Sequence, residues 1–145
     1  MKKEELGSIL KRHGLFVTNS RLQVLGVLTE NEGPLSIEHI TQRAGKELAI
    51  STLYRVVADL LDASLVKTFS SPDHKLMVEL SDEPNEHHHH LYCESCQRVL
   101  DIDLDPELEQ MISGVIAKIG ETHSIEITEH SFEIYGRCDH PGMHN

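Results

Sequence analysis

Apolar residues recur every three or four positions from residue 6 to residue 61, and beyond that they fall into short alternating runs. Leu6, Ile9 and Leu10 lie on one side of a predicted helix over residues 2–12, stopped at Gly14. Thr18 or Asn19 caps a second helix, in which Leu22, Leu25 and Leu28 repeat with Val24 and Val27 beside them. Gly33-Pro34 breaks the chain. Ser36 caps a third helix carrying Ile37, Ile40 and Ala44, which fades near Gly45. Ser51 caps a fourth, whose buried stripe reads Leu53, Val56, Val57, Leu60 and Leu61, leaving Thr52, Tyr54, Arg55 and Asp59 facing outward. Residues 65–69 and 75–80 have strand character and flank a Ser-Ser-Pro-Asp turn. Helices followed by a hairpin is the winged-helix order, in which the last helix enters the DNA major groove. A small helical domain with ordinary surface residues at Tyr54 and Arg55 fits the same pattern.

The second half reads differently. Residues 87–92 form a predicted strand, the Cys93–Cys96 segment a turn, and residues 98–102 a partner strand carrying Asp101. Asp105-Pro106 opens a helix to about Lys118, with Leu108, Met111, Ile112, Val115 and Ile116 apolar and Gly120 closing it. Residues 125–135 alternate through Ile125, Ile127, Phe132 and Ile134. A sheet this small with one helix would gain stability by pairing across a dimer. The turn formers of residues 81–85 mark the boundary. The fold class is therefore α+β: an N-terminal winged-helix domain over residues 1–80, a hinge over 81–86, and a small α/β dimerisation domain over 87–145.

Charge changes the picture. The net charge of −11 argues against nucleic acid as a partner, yet residues 1–80 carry ten Lys/Arg and ten Asp/Glu while residues 81–145 carry three and fourteen. The acidic excess belongs to the second half, and the first remains able to present a basic face. No apolar run approaches the roughly 18 residues of a membrane span, and residues 1–5 lack the apolar core of a signal peptide. Three cysteines, two of them in metal-type spacing, argue against a secreted disulfide framework, so a cytoplasmic protein without membrane partners is expected.

The densest chemistry is Glu86-His-His-His-His-Leu-Tyr-Cys-Glu-Ser-Cys96. A Cys-x-x-Cys turn brings two thiolates onto one tetrahedral cation at about 2.3 Å. On a strand, His87 and His89 point to one face while His88 and His90 point to the other, so one segment feeds two further centres. The alternatives are a purification tag, which an internal run disfavours, a solvated low-complexity tract, and a redox cysteine pair.

With Gly14-Leu-Phe-Val-Thr18 leading to Arg21-Leu22, Ser51-Thr-Leu-Tyr-Arg-Val56, the 87–96 cluster, His130-Ser131 and Tyr135-Gly-Arg-Cys138, nearly the whole chain resembles the ferric uptake regulator (Fur) family. The resemblance implies a non-enzymatic, homodimeric repressor that binds AT-rich palindromic operators when loaded with divalent metal. It implies DNA contacts from Arg21, on a phosphate, and from Ser51, Thr52, Tyr54 and Arg55. Where the family often has a basic residue, this chain has Phe16. The implied sensing site is Glu79, His88, His90 and Asp101; Pro34 stands where a further histidine is usual, with His39 the nearby substitute. A second site would use His87, His89, Glu109 and His130, with Glu107 the neighbouring candidate. Structural zinc would take Cys93, Cys96, Cys138 and, in place of a missing fourth cysteine, His144 or else His140. Oxygen and imidazole donors favour Fe(II) as corepressor, with Mn(II) or Zn(II) as alternatives and structural Zn(II) beside it. Asp101 resembles the peroxide-sensing branch, and a zinc-sensing branch is the other variant. From different classes, a metal buffer or chaperone would leave the Ser51 helix without a purpose. A zinc hydrolase or deaminase lacks its His-x-Glu signature.

Overall fold

The computed structural model describes residues 1–31, 33–81 and 89–139. The chain divides into two compact units, Met1–Glu86 and His87–Asn145. Most of the expected hinge, and with it His87, His88, His140 and His144, lies outside the described residues.

The first unit runs α1 (Lys3–Arg12), α2 (Asn19–Thr29), β1 (Leu35–Ser36), α3 (Ile37–Ala44), α4 (Ile50–Asp62), β2 (Val66–Ser70) and β3 (Leu76–Leu80). Its core is the apolar stripe of each helix: Leu10, Leu25, Ile40, Leu53 and Leu60 are sealed from solvent, joined by Val66 and Val78 from the sheet. Each such side chain contributes about 1.5–3 kcal/mol on burial. Caps define the helix ends, since Thr18 Oγ1 accepts the Arg21 N–H (3.2 Å) and Ser36 Oγ accepts the His39 N–H (3.1 Å). Gly45, at φ 90°, ends α3 in a conformation that favours glycine. The sheet is antiparallel in the order β1-β3-β2. Helices followed by a β2–β3 wing make this a winged-helix unit.

Two details of α4 correct the expectation. The helix starts at Ile50 with Ala49 as an N-cap lacking any side-chain bond, so Ser51 sits in the first turn. Leu48, 5% exposed, anchors the preceding loop in the core and so moves the start of the helix forward. Leu61 is 42% exposed, because Leu53, Val56, Val57 and Leu60 already complete the stripe facing the core.

The second unit contains β4 (His89–Cys93), β5 (Val99–Ile102), α5 (Pro106–His123) and β6 (Glu133–Gly136). The strand order is β5-β4-β6, with β4 antiparallel to β5 and parallel to β6. Helix α5 passes Gly120 and ends at Ser124, in the left-handed region at φ 52°. Gly120 serves close approach rather than termination. A Cβ there would stand 2.9 Å from the Ile125 carbonyl oxygen, and the Ile125 N–H bonds back to the Gly120 carbonyl at 3.0 Å. The alternation of residues 125–135 yields a strand only over Glu133–Gly136. No residue of α5 is buried in the single chain.

Candidate metal centres and nucleic-acid interface

Helix α4 presents Ser51, Tyr54 and Arg55 to solvent, with Thr52 and Asp59 half-buried on the same side as Arg55. Ile50, 58% exposed, extends this surface at the helix N-terminus. Arg21 is engaged rather than open: Nη2 donates to Asp59 Oδ2 at 2.9 Å and Nη1 to the Phe16 carbonyl at 2.8 Å. One guanidinium therefore ties the start of α2, the loop before it and the outer side of α4 together. The sequence places Asp59 outward without a task; an acid one helical turn from Arg55 was the available signal.

In the second unit the three cysteines converge. Strand β4 ends at Cys93, and the turn that follows closes through a Gln97 N–H bond to the Cys93 carbonyl (2.8 Å), with Gln97 at φ 61°. The parallel register sets Cys93 opposite Gly136, which carries Cys138 alongside. The three sulfurs lie within 4.8 Å of one another. Tetrahedral zinc at about 2.3 Å from each sulfur needs S···S separations of about 3.8 Å, so this set fits three corners of such a site. Ser95 organises it: its Oγ donates to the Cys138 carbonyl and accepts the Cys138 N–H, both at 3.0 Å, and stands 3.3 Å from the sulfurs of Cys93 and Cys138. When its one hydrogen turns from the Cys138 carbonyl to Cys93, the Ser95 hydroxyl is the first cause that lowers the Cys93 pKa to about 5, backbone donors adding to it. Burial pushes the Cys96 thiol up.

The alternating faces of β4 separate its two histidines. His90 pairs in register with Asp101 of β5, Nε2 to Oδ1 3.3 Å. His89, 1% exposed, faces α5. Its Nδ1 accepts the Phe132 N–H (3.2 Å), and its Nε2 bonds Glu109 Oε1. His130 Nε2 stands 3.6 Å from the other oxygen of the same carboxylate, Oε2. Ligand atoms of His89, Glu109 and His130 lie within 4.8 Å of one another. A neutral imidazole carries one hydrogen; with Nδ1 accepting, Nε2 holds it and donates to Glu109. Glu109 and His130 fit a cation directly, whereas His89 would join through Nε2 only with its ring hydrogen moved to Nδ1, which gives up the Phe132 N–H bond. Glu107 belongs instead to the helix start, its N–H held by Asp105 Oδ1 at 2.9 Å. Glu79 lies on β3 opposite Lys67, and His39 is in the first turn of α3, both in the first unit.

Residues 12–135 match the Ferric uptake regulator family. The chain is 35% identical over 133 residues to the ferric uptake regulation protein of Escherichia coli, covering 89% of this chain and 85% of that one. The Vibrio cholerae protein of the same name is 34% identical over 137 residues, covering 92% and 87%. Among solved structures, the Vibrio cholerae ferric uptake regulator superposes with a TM-score of 0.70 at 31% identity, covering 91% of this chain and 98% of that one. A zinc-bound manganese uptake regulator gives 0.71 at 26% identity, with 95% and 99% covered. A winged-helix unit, converging metal donors and these likenesses lead to one conclusion: the chain belongs to the ferric uptake regulator family and is a metal-responsive, DNA-binding transcription regulator, not an enzyme.

Proposed function

We propose that the chain is a cytoplasmic, homodimeric repressor of iron homeostasis, binding AT-rich palindromic operators when loaded with Fe(II). The observation that carries the metal choice is His90 facing Asp101, an imidazole and a carboxylate, donors that suit Fe(II) or Mn(II). In this reading Glu79, His88, His90 and Asp101 form the sensing site, residues 1–80 being the winged-helix domain, 81–86 the hinge and 87–145 the dimerisation domain. His87, His89, Glu109 and His130 form the second site. Cys93, Cys96 and Cys138 hold structural zinc, completed by His144 or His140.

Bound metal supplies positive charge and a fixed coordination geometry. The side chains do the rest. Strand β4 fixes where His90 points, and the β5 register holds Asp101 opposite it. Ser51, Thr52, Tyr54 and Arg55 lie at the start of α4, where recognition helices reach base edges, and Arg21 joins that surface through Asp59. Two copies are needed to read a palindrome at adjacent major grooves. The exposed apolar side chains of α5, Leu108 (42%), Met111 (68%), Val115 (57%) and Ile119 (47%), support the dimer, as do Ile134 (41%) and Tyr135 (50%) on β6. To switch, the DNA-competent form must bind metal more tightly than the other forms do.

The test is operator binding by fluorescence anisotropy on chelator-stripped protein, titrated without oxygen with Fe(II), Mn(II) and Zn(II), then treated with peroxide. Binding restored by Fe(II) and untouched by peroxide supports the proposal. Loss on peroxide assigns the chain to the oxidant-sensing branch; restoration by zinc at far lower free concentration assigns it to the zinc-sensing one. Binding indifferent to every metal overturns the switch.

A further inference from the structure

We propose that Ser95 is the positioning residue of the cysteine centre: its side chain carries the β4–β6 pairing past the end of both strands and holds Cys138 beside Cys93 and Cys96. Cation affinity then depends on a hydroxyl that is not itself a ligand. The assignment rests on the reading of the three cysteines as a zinc site. Strands β4 and β6 run parallel with Cys93 opposite Gly136, and the Glu94 N–H bonds the Gly136 carbonyl at 2.8 Å. The same register carried two residues on sets position 95 opposite position 138. By then the β4 chain has turned back, the Gln97 N–H bonding the Cys93 carbonyl at 2.8 Å. The Ser95 hydroxyl takes the place of the strand backbone. It accepts the Cys138 N–H and donates to the Cys138 carbonyl, both at 3.0 Å, the two groups that a strand neighbour would bond. A hydroxyl can do this because one atom combines a donor hydrogen with acceptor lone pairs. Both bonds join protein atoms, so they act on Cys138 whether or not a cation is held.

The place of the third sulfur follows from the held backbone. With its N–H and carbonyl fixed, Cys138 keeps only rotation about its side chain, and its Sγ stands 3.3 Å from Ser95 Oγ, as does the Sγ of Cys93. The three sulfurs lie within 4.8 Å of one another, at most about 1 Å wider than tetrahedral zinc needs. Cys93 and Cys96 share one turn and come together locally. Cys138 is 43 residues from Ser95 along the chain, so ordering it is the costly part of assembling the site. A cation that had to order this segment would bind more weakly by that cost. The other side-chain bond over the same span runs from Arg137 Nε to Glu94 Oε2 at 3.0 Å, between side chains 79% and 50% exposed. A pair so open to water contributes little, which leaves the work to Ser95. Should the hydroxyl hydrogen turn to a thiolate, the carbonyl bond is given up, but the bond from the Cys138 N–H stays.

The experiment uses full-length, reduced protein. Free zinc is set with a chelator buffer, and protection of Cys93 and Cys96 from alkylation, read by mass spectrometry, gives the zinc concentration at half-occupancy. Ser95→Ala is expected to raise that concentration about tenfold, the low end of what hydrogen-bond partners of metal ligands contribute. Hydrogen exchange in chelator-stripped protein should show the Cys138 amide protected in wild type and unprotected in Ser95→Ala. In the Co(II) complex, Ser95→Ala should weaken the sulfur-to-cobalt charge-transfer band as Cys138 drops out. Ser95→Thr, which keeps the hydroxyl, and Arg137→Ala, which keeps Ser95, should retain wild-type values in all three. Circular dichroism checks that each variant is folded. Half-occupancy of Ser95→Ala within twofold of wild type, or a Cys138 amide protected only once zinc is added, overturns the role of Ser95. A loss in Ser95→Thr or Arg137→Ala as large as that in Ser95→Ala overturns the assignment to the hydroxyl. A wild-type Co(II) complex without the charge-transfer band overturns the zinc reading of the cysteines itself, whatever the Cys138 amide shows.

Discussion

Replacing His89 with alanine tests whether the second cluster is a piece of architecture before it is a metal site. The ring is buried and hydrogen-bonded through both nitrogens, to the Phe132 N–H and to Glu109. Its centroid lies 5.7 Å from those of His130 and Phe132. Truncation leaves the Phe132 N–H without its His89 acceptor and takes one hydrogen-bond donor from the Glu109 carboxylate, at about 1–3 kcal/mol for an unsatisfied group. It also opens a void of ring size, for which large-to-small core changes lose about 2–5 kcal/mol. Because Glu109 keeps access to water, the total should fall at about 3–5 kcal/mol in chelator-stripped protein. His89→Asn, whose amide oxygen can take the place of Nδ1, should recover about 1 kcal/mol. Urea unfolding with chelator present gives the stability, and hydrogen exchange at the Phe132 amide gives the local effect. A loss below about 1 kcal/mol without metal, with Phe132 still protected, would refute the argument and leave His89 a ligand only.

Three further outcomes are expected. In zinc-free protein the Cys93 thiolate is present above its pKa of about 5 and lost as pH falls through it, so Cys93 alkylation should rise through pH 5 and level off near neutrality. Cys96, pushed up by burial, should react only at higher pH, and Ser95→Ala should move the Cys93 midpoint upward; mass-spectrometric alkylation profiles check all three. In the homodimer proposed above, Val115→Glu should place a charge on the exposed apolar face of α5 and shift sedimentation toward a monomer, while the secondary structure stays unchanged. Gly120→Ala, worth about 1 kcal/mol of added stability in an open helix, should here destabilise by about 1–3 kcal/mol against the Ile125 carbonyl, seen as a lower urea midpoint.

The first unit was legible because its stripes serve its own core. Leu22, Leu25, Ile40, Leu53 and Leu60 recur at helical spacing and are buried inside one chain, so period and burial agree. The errors fall at the edges of that logic. Ser51 looked like a cap until Leu48 set the helix start, and the two-residue β1 is too short to leave a pattern. In the second unit the apolar positions of α5 and of residues 125–134 mark the elements but not what covers them, since no residue of α5 is buried in the single chain and Ile125, Ile127, Phe132 and Ile134 are exposed. Gly120 was read as punctuation, because a sequence does not show a carbonyl arriving from five residues ahead. For the site, period-two alternation was enough to separate His89 from His90. Ser95 was passed over as a spacer between cysteines, and the Phe132 amide carries no sequence signal at all. The choice of Glu109 over Glu107 needed the Asp105 cap to fix the phase of the helix.

Strand β4 carries His89 and His90 as immediate neighbours, one bound toward α5 and the other toward β5. Their Cα atoms are about 3.3 Å apart along the strand axis and joined by one peptide bond, so a shift of the β4 backbone at one position reaches the other. If occupancy of one alters the affinity of the other by some factor, the reverse effect has the same factor, as linkage requires. A cell that supplies two metals would then find that the tighter-held cation sets the threshold for the weaker one, and the response would depend on the ratio of the two metals as well as on the level of either.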